Sequence, residues 1–437
     1  MSKAMRQVAE DPTGRDTHER AGRASPAGTL SSFLMGQAVG NRHGLVLQPQ
    51  RASLSMADIS AIAHFGAPRA VERPWESAAG GVGRSVTDAR LAAIGEAVER
   101  ATSAQVRLPT RPRRELDGEP RIDAGEFSLF TPGQRLNPAF PHGTLFDDDC
   151  PYAVAYDLRD NSPWWVPQPF VTLQDPHRTG MPTSSGLAAA PTAREALLRG
   201  ILELIERDAL MTTWLHSLPG RSVEPPAVHA AEVERLGGEF TLFDLTPAYS
   251  PFPVAAVLGG IPKRGVWRYS LGVACRQDWD SAAEKAFLEW NQGVLFAGIY
   301  GDFVDVSGLT EYAQVRSFDH HAMFYTRNPE HWSRLPILHH DGVRHPPPPT
   351  PSGMDPLAAA RQALGQAGIR VYYRDITTID ALQAGLHVVK ALSPDMALIY
   401  AHEDWPLLGR VAGMLPARYP DRVAESRFPN RMPHPLG

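Results

Sequence analysis

Three long stretches of the chain carry apolar residues at helical spacing, and each holds acids where that spacing calls for more apolar side chains. The first runs from Ala89 to Ala104, with Thr87 as its candidate N-cap. The second runs from about Thr192, again a capping residue, to Leu215, and the third from Ser281 to Ile299. Between them the apolar runs shorten to strand length: Tyr152 to Tyr156, Trp164 to Val166 closed by Pro167 and Pro169, Phe240 to Leu245, Val254 to Leu258 and Tyr269 to Ala274. Ile369 to Tyr373 and Val388 to Leu392 read as further strands, and Pro356 to Ala367 as a helix. Gly80-Gly81-Val82-Gly83 reads as a flexible loop. Residues 31 to 75 read as short strands around runs such as Gly44 to Leu47, with a helix near Met56 to His64. Strands and helices interleaved in this way predict a mixed α/β fold.

The acids come in pairs three residues apart, which places each pair on one helix face. They are Glu96 with Glu99 and Glu203 with Glu206; Glu289 with Gln292 repeats the spacing with an amide. Glu203 and Glu206 flank Leu204 and Ile205 and follow Ile201-Leu202, so the apolar pattern buries much of that helix. An unpaired buried carboxylate costs several kcal/mol, so such acids need a cation or dense hydrogen bonding. One reading is three ordinary solvated faces, with Arg100 and Arg207 as surface partners. The other is that the helices converge on one site and hold a hard divalent ion through oxygen. Recurrence in three buried-looking helices favours the second. Mg²⁺ suits a set of carboxylates that shares its ion with phosphates, and the loops Gly80–Gly83 and Ser184–Gly186 add backbone amides for a nucleotide. No Walker-type loop, kinase motif set or Gly-x-Ser-x-Gly elbow is present, so this is not a P-loop site.

Composition narrows the field without naming a ligand. The 437 residues are 43% hydrophobic and 21% charged, which excludes a disordered chain, and 43 Lys+Arg against 48 Asp+Glu give a net charge of -5. No basic field for nucleic acid and no apolar segment of membrane-spanning length is present. The first 30 residues are polar, with no signal-peptide pattern, and are expected to be a disordered lead-in to a cytoplasmic protein. The two cysteines, Cys150 and Cys275, form neither a disulfide framework nor a zinc-binding pair. Among 40 prolines, Pro346 to Pro349 form a stiff surface linker within a proline-rich stretch at 341–356. The domain expected is thus residues 31–437, carrying that linker and a tail at 429–437.

At the paired acids the sequence resembles the YcaO superfamily. The matching stretches are Gly81 to Arg100, ending Gly-Glu-Ala-Val-Glu-Arg, and Ser184-Ser-Gly-Leu-Ala-Ala-Ala-Pro-Thr192 leading to Glu203-Leu-Ile-Glu-Arg-Asp-Ala209. Phe243-Asp-Leu-Thr246, Glu289 with Gln292 and the proline-rich end complete them, in family order over about residues 75 to 437. The resemblance implies an α/β enzyme whose long helices converge on an ATP and Mg²⁺ site and which activates a peptide amide oxygen by phosphorylation. In the azoline-forming branch, Cys, Ser or Thr of a ribosomally made precursor peptide becomes thiazoline or (methyl)oxazoline. By motif, Glu96, Glu99, Glu203 and Glu206 correspond to metal ligands. Arg84, Arg100, Arg207, Ser184, Ser185, Glu289 and Gln292 correspond to nucleotide-binding positions. The branch's Pro-x-Pro-x-Pro end, which reaches the active site, corresponds to Pro433-His434-Pro435-Leu436-Gly437, with His434 a candidate proton carrier or substrate-orienting group because imidazole titrates near neutrality.

Four positions depart from the family pattern. Val82 stands where Gly-Lys-Gly has lysine, with Arg84 next in line to supply the charge; Ala92 replaces a serine, Val294 an arginine, and Gly437 the last proline. They leave two alternatives beside the cyclodehydratase: a thioamide- or amidine-forming enzyme, and a non-catalytic scaffold partnering an active paralogue. The resemblance further implies a separate leader-binding partner similar to a ubiquitin-activating (E1-like, ThiF-like) enzyme. Neither nucleic acid nor a membrane is an expected partner, and the oligomeric state stays open, a homodimer included.

Overall fold

The computed structural model of the chain describes residues 26–40, 44–51, 62–66, 79–299, 306–340, 342–349 and 353–436. Helix α1 (Pro26–Gln37) begins inside the segment expected to be a polar lead-in; residues 1–25 of that segment lie outside the described ones. Val46, in an expected strand, makes only an isolated bridge with Val39. Strands β1 (Gln50–Arg51), β2 (Ile62–Gly66) and β3 (Ala79–Gly83) form a three-stranded antiparallel sheet.

Two expectations change here. His64, placed in a helix, lies in β2, while residues 56–61 of that helix lie outside the described residues. The glycine run expected to be a loop is β3, and its glycines serve close packing. Helix α2 (Val86–Gln105) lies directly on the strand, and a Cβ on Gly81 would run into the Ala89 carbonyl and the Ala93 amide. Because that obstacle is backbone, Gly81→Ala should destabilise the fold by about 1–3 kcal/mol, visible as a lower urea midpoint. Helix α2 is capped by Ser85, whose Oγ accepts from the Asp88 amide at 3.1 Å, two residues before the expected Thr87.

The rest of the chain builds two larger sheets around a buried helix. In order come β4 (Thr110–Pro112), β5 (Pro151–Asp157), β6 (Pro163–Pro167), β7 (Leu187–Ala190) and helix α3 (Ala193–Leu215). Next are β8 (Ser222–Val223), α4 (Ala227–Arg235), β9 (Glu239–Asp244), β10 (Val254–Lys263), β11 (Val266–Cys275), α5 (Trp279–Ile299) and α6 (Phe318–Arg327). Last come α7 (Pro356–Gln366), β12 (Tyr372–Asp375) and β13 (His387–Leu392). One sheet has the order β4-β5-β12-β13-β7 with β6 on β5, the other β11-β10-β9-β8, and every ladder is antiparallel. Strand β12 starts three residues later than its expected start at Ile369.

Helix α3 packs against β7 and β13 on one side and β11 on the other, while α5 covers β10 and β11. With apolar neighbours on both sides, Ile201, Leu202, Leu204 and Ile205 are all buried, as the apolar pattern predicts. A further acid on α3, Asp208, is fully buried and structural: its oxygens accept from Arg418 Nε at 2.8 Å, Tyr249 Oη at 2.9 Å and the Ala397 amide at 2.7 Å. The proline run is exposed but not free-standing, since the neighbouring His345 amide donates to the Ser222 carbonyl at 2.8 Å. Among the described residues, no helix is long and apolar enough to cross a membrane.

Candidate functional site

Helices α2, α3 and α5 bring their acids to one recess. The Glu206 side chain keeps 6% of its surface and Glu99 16%, whereas Glu96 keeps 33%, so the set grades from the interior toward the surface. Arg100 Nη2 lies 3.3 Å from Glu96 Oε1, and Arg207 Nη2 lies 3.5 Å from Glu203 Oε1 and 3.6 Å from Glu206 Oε1. Backbone amides complete the hold: Gly186 donates to Glu203 Oε2 at 3.0 Å and Cys275 to Glu206 Oε2 at 3.1 Å. On α5, Lys285 Nζ sits 3.0 Å from Glu289 Oε1, and the Gln292 amide packs against β3 where a Cβ on Gly80 would lie.

The electrostatics show convergence that contacts within each helix cannot. Burial pushes the Glu206 carboxyl up to about 8, and the charges of Glu289 and Glu203, one of them from another helix, push the same way against Arg207. Burial likewise holds Glu99 well above the usual carboxylate range, with Arg100 opposing and Glu203 and Glu96 adding to it; Glu96 is raised too. Acids of α2, α3 and α5 therefore feel one another. For carboxyls raised in the folded state, the fold takes up more protons than the unfolded chain between the two pKa values, so stability falls as pH rises. The contribution of these acids to ligand-free stability should fall from about pH 4.5 to about pH 8, read as the melting-temperature difference between the parent chain and Glu206→Gln, and saturating Mg-ATP should flatten that slope.

Among the described residues, no three acidic, histidine or cysteine side chains are grouped tightly enough to cage an ion unaided. Mg²⁺ typically takes one or two carboxylates and fills its remaining positions from phosphates and water. The arginines show where an anion fits. Nε and Nη1 of Arg207 and Nε of Arg100 are buried donors with no hydrogen-bond partner, beside acids that lack enough cation. Buried donors without hydrogen-bond partners beside acids that outnumber their cations are what a metal–phosphate group would complete.

A residue the sequence reading missed braces the recess. Lys390 of β13 is buried, and its ammonium donates to the Thr183 carbonyl and, at 2.8 Å, to the Ser185 carbonyl. Burial pushes it down to about 8, with Glu203 and Glu99 pulling it back up. The Ser184–Gly186 loop is thereby held by its backbone, and the Ser185 amide donates to Thr183 Oγ1 at 3.1 Å. Gly186 has φ +79°, and a Cβ there would run into the Ala391 carbonyl, so only glycine presents its amide to Glu203 here. A lone lysine inside Val388-Val389-Lys390-Ala391-Leu392 is the same signal as an acid inside an apolar helix, and it was open to the same argument.

Two expectations need correction. The structure places the Arg84 guanidinium against Glu232 and Glu284, at 2.7 Å each, and over the Phe287 ring. With two carboxylates already paired to it, Arg84 does not supply the charge absent at Val82. Glu284 also accepts from His229 Nε2 at 2.7 Å. Nor does His434 titrate near neutrality: burial pushes it down to about 4, the Tyr400 carbonyl opposing and the charge of Arg207 assisting. It is a neutral imidazole at physiological pH. Val82 and Val294 are buried in apolar contacts and Ala92 is exposed, so the first two departures are filled by packing.

The tail itself enters the protein. Pro433, His434 and Pro435 are buried, and the tail runs along the end of α3: the Asn430 amide donates to the Leu215 carbonyl at 2.8 Å and Trp214 Nε1 to the Met432 carbonyl at 2.7 Å. The influence of Arg207 on His434 ties the tail to the glutamate recess. Gly437 lies outside the described residues.

Comparison with known proteins agrees with this architecture. The family model described as YcaO cyclodehydratase, ATP- and Mg²⁺-binding, matches residues 80–397, and the chain belongs to that family. Its cofactors are ATP and Mg²⁺. A heterocyclase solved in complex with substrate and cofactor superposes with a TM-score of 0.70 at 19% identity, covering 92% of this chain and 57% of that one. YcaO from Methanopyrus kandleri, bound with AMPPCP and Mg²⁺, superposes at 0.60 with 16% identity over 87% of this chain and 90% of its own. An uncharacterized protein in the tfuA 3′ region of Rhizobium leguminosarum bv. trifolii is 31% identical over 179 residues, 35% of this chain and 41% of that protein. The chain thus spans less than two thirds of the curated relative and of the substrate-bound heterocyclase.

Proposed function

We propose that the chain is an ATP-dependent cyclodehydratase that converts Cys, Ser or Thr of a ribosomally made precursor peptide to thiazoline or (methyl)oxazoline. The observation that carries this reading is the recess itself: mutually repelling acids from three helices beside arginine donors without hydrogen-bond partners, with a buried Pro-x-Pro tail at the end of α3. Glu96, Glu99, Glu203 and Glu206 are the metal-binding acids, and Glu289, Gln292, Arg100 and Arg207 face the nucleotide. Bound ATP would supply the phosphoryl group, and Mg²⁺ would neutralise its charge, for loss of the amide oxygen as phosphate once the side chain has attacked the preceding carbonyl.

The chain's own residues orient and neutralise. The unpaired donors of Arg207 and Arg100 are fixed in place before any anion arrives, so little reorganisation accompanies charge development. Lys390 keeps the Ser184–Gly186 loop closed against Glu203, and the loop thereby sets the position of that carboxylate. Neutral His434 orients groups and does not shuttle a proton. A separate leader-binding, E1-like partner delivers the precursor in the cytoplasm. The test is incubation of the purified chain with ATP, Mg²⁺, the partner and a Cys- or Ser-rich precursor. Loss of one water per ring with release of ADP and phosphate is expected; exchange of oxygen for sulfur would instead identify thioamide formation.

A further inference from the structure

Behind the tail lies a buried polar cluster that the nucleotide site does not use. His321 of α6 is fully buried, and its ring stacks on that of His434 at 3.8 Å and 7°. Its Nδ1 donates to the His434 carbonyl at 2.8 Å. One turn further along the same face of α6, Tyr325 Oη donates to the Pro433 carbonyl at 2.6 Å. Two side chains of one helix therefore grip consecutive backbone oxygens of the tail. His434 in turn donates from Nε2 to the Tyr400 carbonyl at 2.8 Å, which leaves its Nδ1 buried and without a partner.

The far side of His321 faces a buried acid. Its Nε2 lies 3.8 Å from Glu403 Oε1, and neither atom has a hydrogen-bond partner. Burial pushes Glu403 up to about 8 against the pull of Arg431, and it pushes His321 well below its ordinary value with His434 assisting. Because the His434 carbonyl can only accept, Nδ1 of His321 carries the proton it donates to the tail, and Nε2 is the nitrogen that faces Glu403.

We propose that His321 and Tyr325 are positioning residues that latch Pro433 and His434 at the end of α3, and that turnover depends on this latch. The proposal rests on the cyclodehydratase reading only for its kinetic consequence, since the latch itself is measurable without turnover. The variants are His321→Phe and Tyr325→Phe, alone and combined in the full chain, each keeping a ring and removing a donor. The first measurement is the NMR titration of the His434 imidazole, assigned by its disappearance in His434→Gln. In the parent chain it stays silent across about pH 5 to 8, and in the double variant it titrates near its ordinary value of about 6.5. His321→Asn, whose amide nitrogen takes the place of Nδ1, restores the silence. A His434 that stays silent in the double variant overturns the latch.

The second measurement is turnover with Mg-ATP and the precursor: kcat falls about 100-fold, as expected for misplacement on the ångström scale, with KM for ATP unchanged. Equal effects on kcat and on nucleotide binding would show general damage and overturn the positioning role. Deletion of residues 432–437 separates the two ideas. Full ring formation by that deletion would refute the tail's part in catalysis, while the NMR titration still decides the latch.

Discussion

Replacing Arg207 by methionine should lower the stability of the ligand-free chain by about 3–5 kcal/mol, the penalty typical of leaving buried charges without their partner. Arg207 is the nearest cation to both Glu203 and Glu206 and keeps only 18% of its side-chain surface. The magnitude decides between the two readings of the paired acids, because a solvated surface pair contributes at most about 1 kcal/mol. Urea titration at about pH 9, where Glu206 is ionised in the parent chain, reads it directly. Added Mg²⁺ should recover part of the loss, since the ion replaces the missing charge. A midpoint within error of the parent chain would return these helices to ordinary solvated faces.

The second large effect runs in opposite directions for stability and for activity. Glu206→Gln removes a carboxylate that burial and its acidic neighbours disfavour, and it keeps an oxygen for the Cys275 amide. Above about pH 8 the ligand-free variant should be more stable than the parent, and below about pH 4.5 the two should converge, because the parent acid is then protonated in both states. Turnover with Mg-ATP should meanwhile fall by about 10²–10³-fold, the range for losing one preorganised electrostatic group. Thermal melts across pH, set beside steady-state kinetics, check both halves. A variant that loses stability at high pH would show that Glu206 is a structural partner of Arg207 alone.

The parts of this site that were legible in sequence share one property: a charge stands alone in an apolar run. That signal placed Glu96, Glu99, Glu203, Glu206 and Glu289 on three helices, and it was available for Lys390 as well. What sequence could not supply were pairings set by long-range topology. Arg84 is two residues from Val82, yet its partners lie on α4 and α5, so proximity in sequence misassigned its charge. The run Gly80-Gly81-Val82-Gly83 has a loop's composition, and only the helix lying across it explains the glycines. His434 carries the ordinary pKa of an exposed histidine until the stack on His321 and the burial around it are known. Strand β7 was hidden because Leu187-Ala188-Ala189-Ala190 has helical propensity, and β13 and the preceding loop override it.

The central claim, that the recess activates a backbone amide oxygen, is tested most directly by following that oxygen. A precursor peptide isotopically labelled at the carbonyl preceding a modified Cys or Ser is incubated with the chain, its partner and Mg-ATP, and the released phosphate is analysed by mass. One labelled oxygen is expected in phosphate for every ring formed. Rings that form while the label appears only in water would contradict it.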